Sequence, residues 1–201
     1  MKLTRDFYNQ ETLIVAKELL GKTLVHYVGG NKISGRIIEV EAYKGLKDKA
    51  AHSYGGKITK RVETMYGPSG YAYVYLIYGM YNCMNVVTRE EGIPEAILIR
   101  GIEPLEGLDC MSLNRFNKNF TSLTKSESIR LTNGPGKLSI AFSINRSNNG
   151  QDLCGENLYI EDSNYKPKNI IASKRIGIDY AKEAKDYLWR FYIEGNPFVS
   201  K

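Results

Sequence analysis

The 201-residue chain predicts a mixed fold of the α/β class, α+β in type, built as one compact domain over residues 1–201. Three observations carry that expectation. Apolar residues alternate at period two through most segments between residues 23 and 102, as half-buried strands require. Helical spacing is concentrated near residues 10–20 and in the stretch that begins NGPGK. No repeat, low-complexity tract or Pro-rich or Ser-rich hinge divides the chain, and 42% hydrophobic residues suffice for one core.

Residues 10–20 read as a helix capped by Asn9, with Leu13, Ala16, Leu19 and Leu20 on one face and Gly21 as the stop. Strands over 23–28 and 34–43 follow, joined through a Gly-Gly turn. Five tyrosines then fall within residues 71–81 (YAYVYLIYGMY). Alternation puts Tyr71, Tyr73 and Tyr75 on one face and Ala72, Val74 and Leu76 on the other. Gly79 suits the positive φ of a hairpin turn, and the returning strand sets Tyr81, Cys83 and Asn85 against Asn82, Met84 and Val86. Tyr78 thus becomes the aromatic tip of a hairpin, where a side chain more often meets a partner than fills a core. The plainer account of the ladder is cross-strand ring packing. Residues 95–102 read as a further strand, with a helix after Pro104 and a polar, mobile connection over 116–130. Asn133 and Pro135 read as the cap and first turn of a helix to about residue 143, and residues 158–161 and 190–194 as added strands.

Twenty-eight Lys and Arg against 22 Asp and Glu give a net charge of +6, a moderate bias toward polyanions. Cys83, Cys110 and Cys154 are odd in number and show no CxxC spacing, which argues against a disulfide framework or thiolate zinc site and for a reducing compartment. The first ten residues lack an apolar signal core, and no stretch approaches the roughly 18 apolar residues of a membrane helix. The expectation is a cytoplasmic protein with no membrane partner.

The candidate chemistry lies in RIIEVEAY, residues 36–43, where Glu39, Glu41 and Tyr43 share one strand face. A carboxylate beside an aromatic cleft suits a general base, although strand carboxylates are usually solvated, and periodicity does not choose between the two glutamates. His52 sits in a loop followed by Lys57, Lys60 and Arg61, suited to a phosphate or base contact, and also to an ordinary hydrogen-bonded histidine. With His26 as the only other histidine, a His-rich metal site is not expected. NGPGK offers backbone N–H groups and Lys137 at a helix start, but not the spacing of a Walker motif. No G-x-S-x-G elbow occurs either.

Taken together, IIEVEAY, DKAAHSYGG, YVYLIYGMYNCMNVV, AILIRGIEPLEG, NGPGKL and RFYIEGNPFVS closely resemble, in order, the alkyladenine or 3-methylpurine DNA glycosylases of base-excision repair. The likeness runs from about Leu3 to Ser200. It implies a curved antiparallel sheet flanked by helices with a protruding Tyr-tipped hairpin, acting on damaged double-stranded DNA by extruding one nucleotide and hydrolysing its N-glycosidic bond. By the same resemblance, Glu41 activates water and Arg100 stands near that water and the nucleotide. Tyr43, His52, Tyr75 and Asn85 enclose the base, and Tyr78 fills the gap in the stack. Lys57, Thr59, Arg61, Tyr81 and Lys137 are expected on the DNA backbone. Departures from the family pattern are Asn82 where an aromatic is common, Tyr54 where some relatives carry a basic residue, and Lys57 where many carry Arg.

A monofunctional monomer without metal, organic cofactor or obligate protein partner is expected. A cationic alkylated purine should stack well on Tyr faces and leave easily, whereas a neutral lesion such as hypoxanthine needs a proton from a donor that the sequence does not reveal. Two other readings use the same residues. One is a noncatalytic single-strand-binding module that stacks bases on tyrosines, and the other is a small-molecule transferase or hydrolase indifferent to DNA.

Overall fold

The computed structural model describes residues 1–200. Two short helices, α1 (Arg5–Tyr8) and α2 (Thr12–Leu19), precede the first two strands, β1 (Thr23–Val28) and β2 (Asn31–Tyr43). The tyrosine hairpin is β3 (Ala72–Ile77) and β4 (Tyr81–Thr88), followed by β5 (Glu95–Glu106). Helices α3 (Leu108–Phe116), α4 (Lys125–Ile129) and α5 (Pro135–Ala141) come next, then β6 (Leu158–Glu161), β7 (Ile170–Ser173) and β8 (Arg190–Ile193). Among the described residues no helix is long and apolar enough to cross a membrane.

All strand pairings are antiparallel, in the order β3-β4-β5-β2-β1-β6, with β8 on β2 and β7 on β8. The sheet is curved and flanked by helices. Strand β2 organises it: one edge pairs with β5, while the other pairs first with β1 and then, over Glu39–Glu41, with β8. Its register with β5 shifts at three places, once between Ser34 and Gly35 and twice, in offsetting directions, around Glu39. Ile37 faces Ile102, Glu39 faces Gly101 and Val40 faces Ile99, so Ile38 and Arg100 each stand without a partner. A bulge re-aims side chains, and here it lets Ile37 and Ile38 both enter the main core while Arg100 comes to the glutamate face.

The alternation expected for the hairpin holds, and both of its faces are covered. Ala72, Val74, Met84 and Val86 join the main core, together with helix residues such as Leu19 and Leu138. Tyr73, Tyr75, Cys83, Val87, Ala96 and Leu98 form a second apolar cluster with Val62 and Met65. Part of the tyrosine ladder is therefore packing, as the plainer account held. Tyr71 lies just outside β3, in an isolated bridge to Asp152.

Several local expectations are corrected. The cap of α2 is Glu11, whose carboxylate accepts from Leu13 and Ile14 N–H, and Asn9 instead ends α1. The Asn9 reading failed because an N-cap is fixed by the side chain that reaches the free N–H groups, and Glu11 is two residues nearer. The helix expected after Pro104 is present as α3, though Pro104 itself still lies inside β5 opposite Gly35 and the turn is made by Gly107, with a φ of 78°. Proline is tolerated there because the strand is near its end. Gly134 precedes α5 where Asn133 was expected as cap, and the Asn133 amide oxygen accepts from Lys137 Nζ instead. Residues 116–130 are more ordered than a polar connection: a Thr124–Glu127 capping box starts α4. Strand β7, flanked by polar residues, gave no alternation strong enough to read.

Candidate active site

A cavity of about 330 Å³ opens beneath the hairpin tip, walled by Tyr43, Tyr73, Tyr75, His52 and Leu98. Asn85, Arg100 and Tyr81 also line it, as do Pro135 and Gly136 at the start of α5. Tyr78 is 82% exposed at its mouth. Its φ of 55°, followed by 69° at Gly79, makes a tight left-handed turn closed by Met80 N–H to Ile77 O at 3.2 Å. Positive φ is uncommon for a bulky aromatic and is tolerated where function or turn geometry demands it.

The two glutamates are both fully buried, and their partners separate them. Glu39 faces the carboxy-terminal segment, where its Oε1 accepts from Arg190 Nε at 2.6 Å and Ser200 Oγ at 2.7 Å, and its Oε2 from Ser200 N–H at 2.7 Å. Glu41, also fully buried, lies behind residues that do line the cavity. Its Oε1 accepts from Ile176 N–H at 2.7 Å and its Oε2 from the Tyr43 hydroxyl at 2.9 Å. Arg100 joins them, with Nε 3.3 Å from Glu39 and Nη1 3.4 Å from Glu41. Burial works against the charge of Arg100, but Glu41 and Glu39 more than offset it, and its pKa is raised. Tyr43 is pushed well above its usual value, first by burial and then by the Glu41 charge, so it stays a neutral donor.

His52 counts as exposed by area, yet both ring nitrogens are engaged, Nδ1 with Tyr73 Oη at 2.9 Å and Nε2 with Arg61 Nη2 at 3.3 Å. The guanidinium can only donate, so Nε2 accepts and Nδ1 carries the proton toward Tyr73. Desolvation among the rings, with Arg61 second, lowers its pKa to about 4. The neutral imidazole stands edge-on to Tyr75, centroids 4.5 Å apart. Asn85 is buried, its Nδ2 donating to Tyr73 O at 3.0 Å.

Of the residues expected on a DNA backbone, Lys57, Thr59 and Arg61 occupy an exposed loop beside the cavity's His52 wall. Tyr81 is 39% exposed against Gly136, where an added Cβ would come within 3.0 Å of the tyrosine. Lys137 follows on α5, its pKa lowered by burial and then by Arg115 and Arg130. Asn82 is absent from the cavity wall, as alternation required, and its buried Oδ1 finds no partner.

Sequence reasoning missed the segment 175–180. Ile176, Gly177, Ile178 and Tyr180 close one side of the cavity, and Arg175 behind them forms a fully buried ion pair with Asp48. Ser200 and Arg190 were missed as well. Periodicity marks neither the segment 175–180 nor Ser200, because a loop residue is placed by its partners and not by its spacing, and Arg190, though on an expected strand, shows its partner Glu39 only in the fold.

An aromatic-walled cavity, backed by a held carboxylate and arginine and flanked by exposed cations, has the character of an enzyme site. Similarity gives that class a family. The sequence profile described as "Methylpurine-DNA glycosylase (MPG)" matches residues 6–197, and the chain belongs to this family. It is therefore a DNA glycosylase, a hydrolase of N-glycosyl bonds. Proteins carrying the name "Putative 3-methyladenine DNA glycosylase" are similar over nearly their full lengths. That of Clostridium acetobutylicum is 60% identical over 200 residues, covering 100% of this chain and 98% of its own. That of Desulfitobacterium hafniense is 58% identical over 199 residues, covering 99% and 98%. That of Alkaliphilus oremlandii is 57% identical over 201 residues, covering both chains fully.

Proposed function

We propose that the whole chain acts as one domain, a monomer on damaged duplex DNA in the cytoplasm or nucleoid, and excises methylated purines such as 3-methyladenine from nucleotides rotated out of the stack. The observation that carries this reading is the placement of Glu41: buried, hydrogen-bonded by Tyr43 and Ile176, and close to Arg100 at the inner wall of an aromatic cavity.

Extrusion costs a few kcal/mol, least where damage has weakened pairing. Tyr78, on a turn fixed by two consecutive left-handed residues, suits the vacated space. Stacking on a ring contributes about 1–3 kcal/mol per base, so Tyr43 and Tyr75 supply affinity. Asn85 presents polar atoms to the base edge and supplies choice, while His52, its ring nitrogens held by Tyr73 and Arg61, shapes the wall. A carboxylate has about four lone-pair sites, and Tyr43, Ile176 and Arg100 engage Glu41 without filling all of them. A water on the remaining site gives its proton to Glu41 as its oxygen bonds to the sugar C1′. The C1′–N bond breaks, and its electron pair leaves with the purine. For a cationic alkylated purine that pair neutralises the ring, so no general acid is needed.

The test uses methylated DNA and end-labelled duplexes with a single hypoxanthine or ethenoadenine, scored as alkali-labile sites for wild type and Glu41→Gln. Product from wild type alone is expected. Binding without product on any lesion would leave a noncatalytic module and overturn the proposal.

A further inference from the structure

Both hydrogen bonds that fix the Glu41 carboxylate lead back to Arg175. Oε1 is held by the amide of Ile176, the next residue in the chain. Oε2 is held by the Tyr43 hydroxyl, and the Arg175 guanidinium lies 4.8 Å from the centre of that ring. Arg175 is itself held through both terminal nitrogens, while its buried Nε finds no partner. Its Nη1 and Nη2 reach the two Asp48 oxygens at 2.6 and 2.9 Å, while Nη1 also donates to Ala42 O at 2.9 Å and Nη2 to Ala184 O at 3.2 Å. Asp48 in turn accepts from Lys44 and Ala50 N–H, which anchors the loop that carries His52.

A buried ion pair adds little stability over an apolar pair of similar volume, because desolvation offsets its attraction. Its value lies in geometry: a planar fork with five donors fixes several groups at once, which a lysine ammonium cannot do. We propose that Arg175, locked by Asp48, is the positioning residue that orients Glu41 through Ile176 and Tyr43. This inference rests on the hydrolytic role of Glu41 proposed above. Arg175 touches neither base nor sugar; it sets where the carboxylate points.

Single-turnover base release from methylated DNA, measured against enzyme concentration, separates the limiting rate from half-saturation. For Arg175→Lys the limiting rate should fall on the order of 10- to 100-fold, as expected when a reacting group is displaced by a fraction of an ångström to an ångström. Half-saturation should stay within about twofold, since the rings that stack the base are intact. An unchanged limiting rate, or rate and half-saturation weakening together, would overturn the assignment. If Arg175→Lys does not fold, the pair Arg175→Met with Asp48→Asn, which removes both buried charges, takes its place in the same measurement. Failure of this double variant to fold would make the pair a folding element and equally overturn the assignment. Absence of base release by the wild type would instead overturn the hydrolytic reading, a distinguishable result.

Discussion

Glu39 and Glu41 occupy the same strand face two residues apart, and their partners divide them between scaffold and candidate chemistry. Glu41→Gln keeps the size of the side chain but cannot take a proton from water, so single-turnover cleavage should fall roughly 10²- to 10⁴-fold with lesion binding retained. Near-normal cleavage would remove Glu41 from the reaction. His52 should titrate near pH 4 when followed by NMR of its ring protons. Its folded pKa is below the ordinary value of about 6.5. The unfolded chain therefore binds the extra proton first, and the stability that His52 contributes is lost as pH falls from about 6.5 toward about 4. Arg61→Ala should raise the midpoint only part of the way, because desolvation is the larger cause. Tyr78→Ser should weaken lesion affinity about tenfold or more, the value of one stacking contact, and equal affinities would dismiss the wedge. The strand tyrosines and Asn85 were legible as candidates because alternation gives direction, and His52 because its loop carries clustered cations. Alternation did not choose between Glu39 and Glu41; the family resemblance pointed to Glu41, and the partners that tell the two apart, Ile176 and Ser200, are far away in sequence.

At the scale of elements, strands and their faces followed from period two, whereas caps, bulges and loops did not. Neither Ile38 nor Arg100 announces a bulge, since each would also satisfy an unbroken ladder. Gly101, next to the bulge, carries the tightest restriction on the candidate site: a Cβ there would stand 2.8 Å from Ile38 Cδ1, 3.0 Å from Phe198 O and 3.1 Å from Glu39 Oε2. Gly101→Ala should cost about 1–3 kcal/mol in urea denaturation by overpacking. A neutral result would mean that the two strands shift freely. The α4 capping box is a control remote from the cavity: Thr124→Ala should cost roughly 1 kcal/mol without altering lesion cleavage.

For the molecule as a whole, the net charge of +6 matters through its distribution. The exposed loop with Lys57 and Arg61 lies on the His52 side of the cavity, and Lys137 lies on α5, whose start forms another part of the wall. Cations placed so can follow a backbone on both sides of an extruded nucleotide. Log affinity should then fall with log salt by about 0.9 per phosphate neutralised, and Lys137→Ala should lower that slope by about one contact. A flat salt response would favour a small-molecule substrate. Composition showed the bias toward polyanions, but only the fold shows which cations flank the cavity. The same long-range architecture also sets an order of events during synthesis. Glu39 and the Ser200 groups that hold it are separated by 161 positions. At about 5–20 residues per second, a ribosome needs on the order of ten seconds or more to bring out the second after the first. Throughout that interval the nascent chain already carries both glutamates, but it lacks the clasp that holds Glu39 beside Arg100. The chain can thus assemble most of its sheet before the Glu39–Ser200 clasp can close.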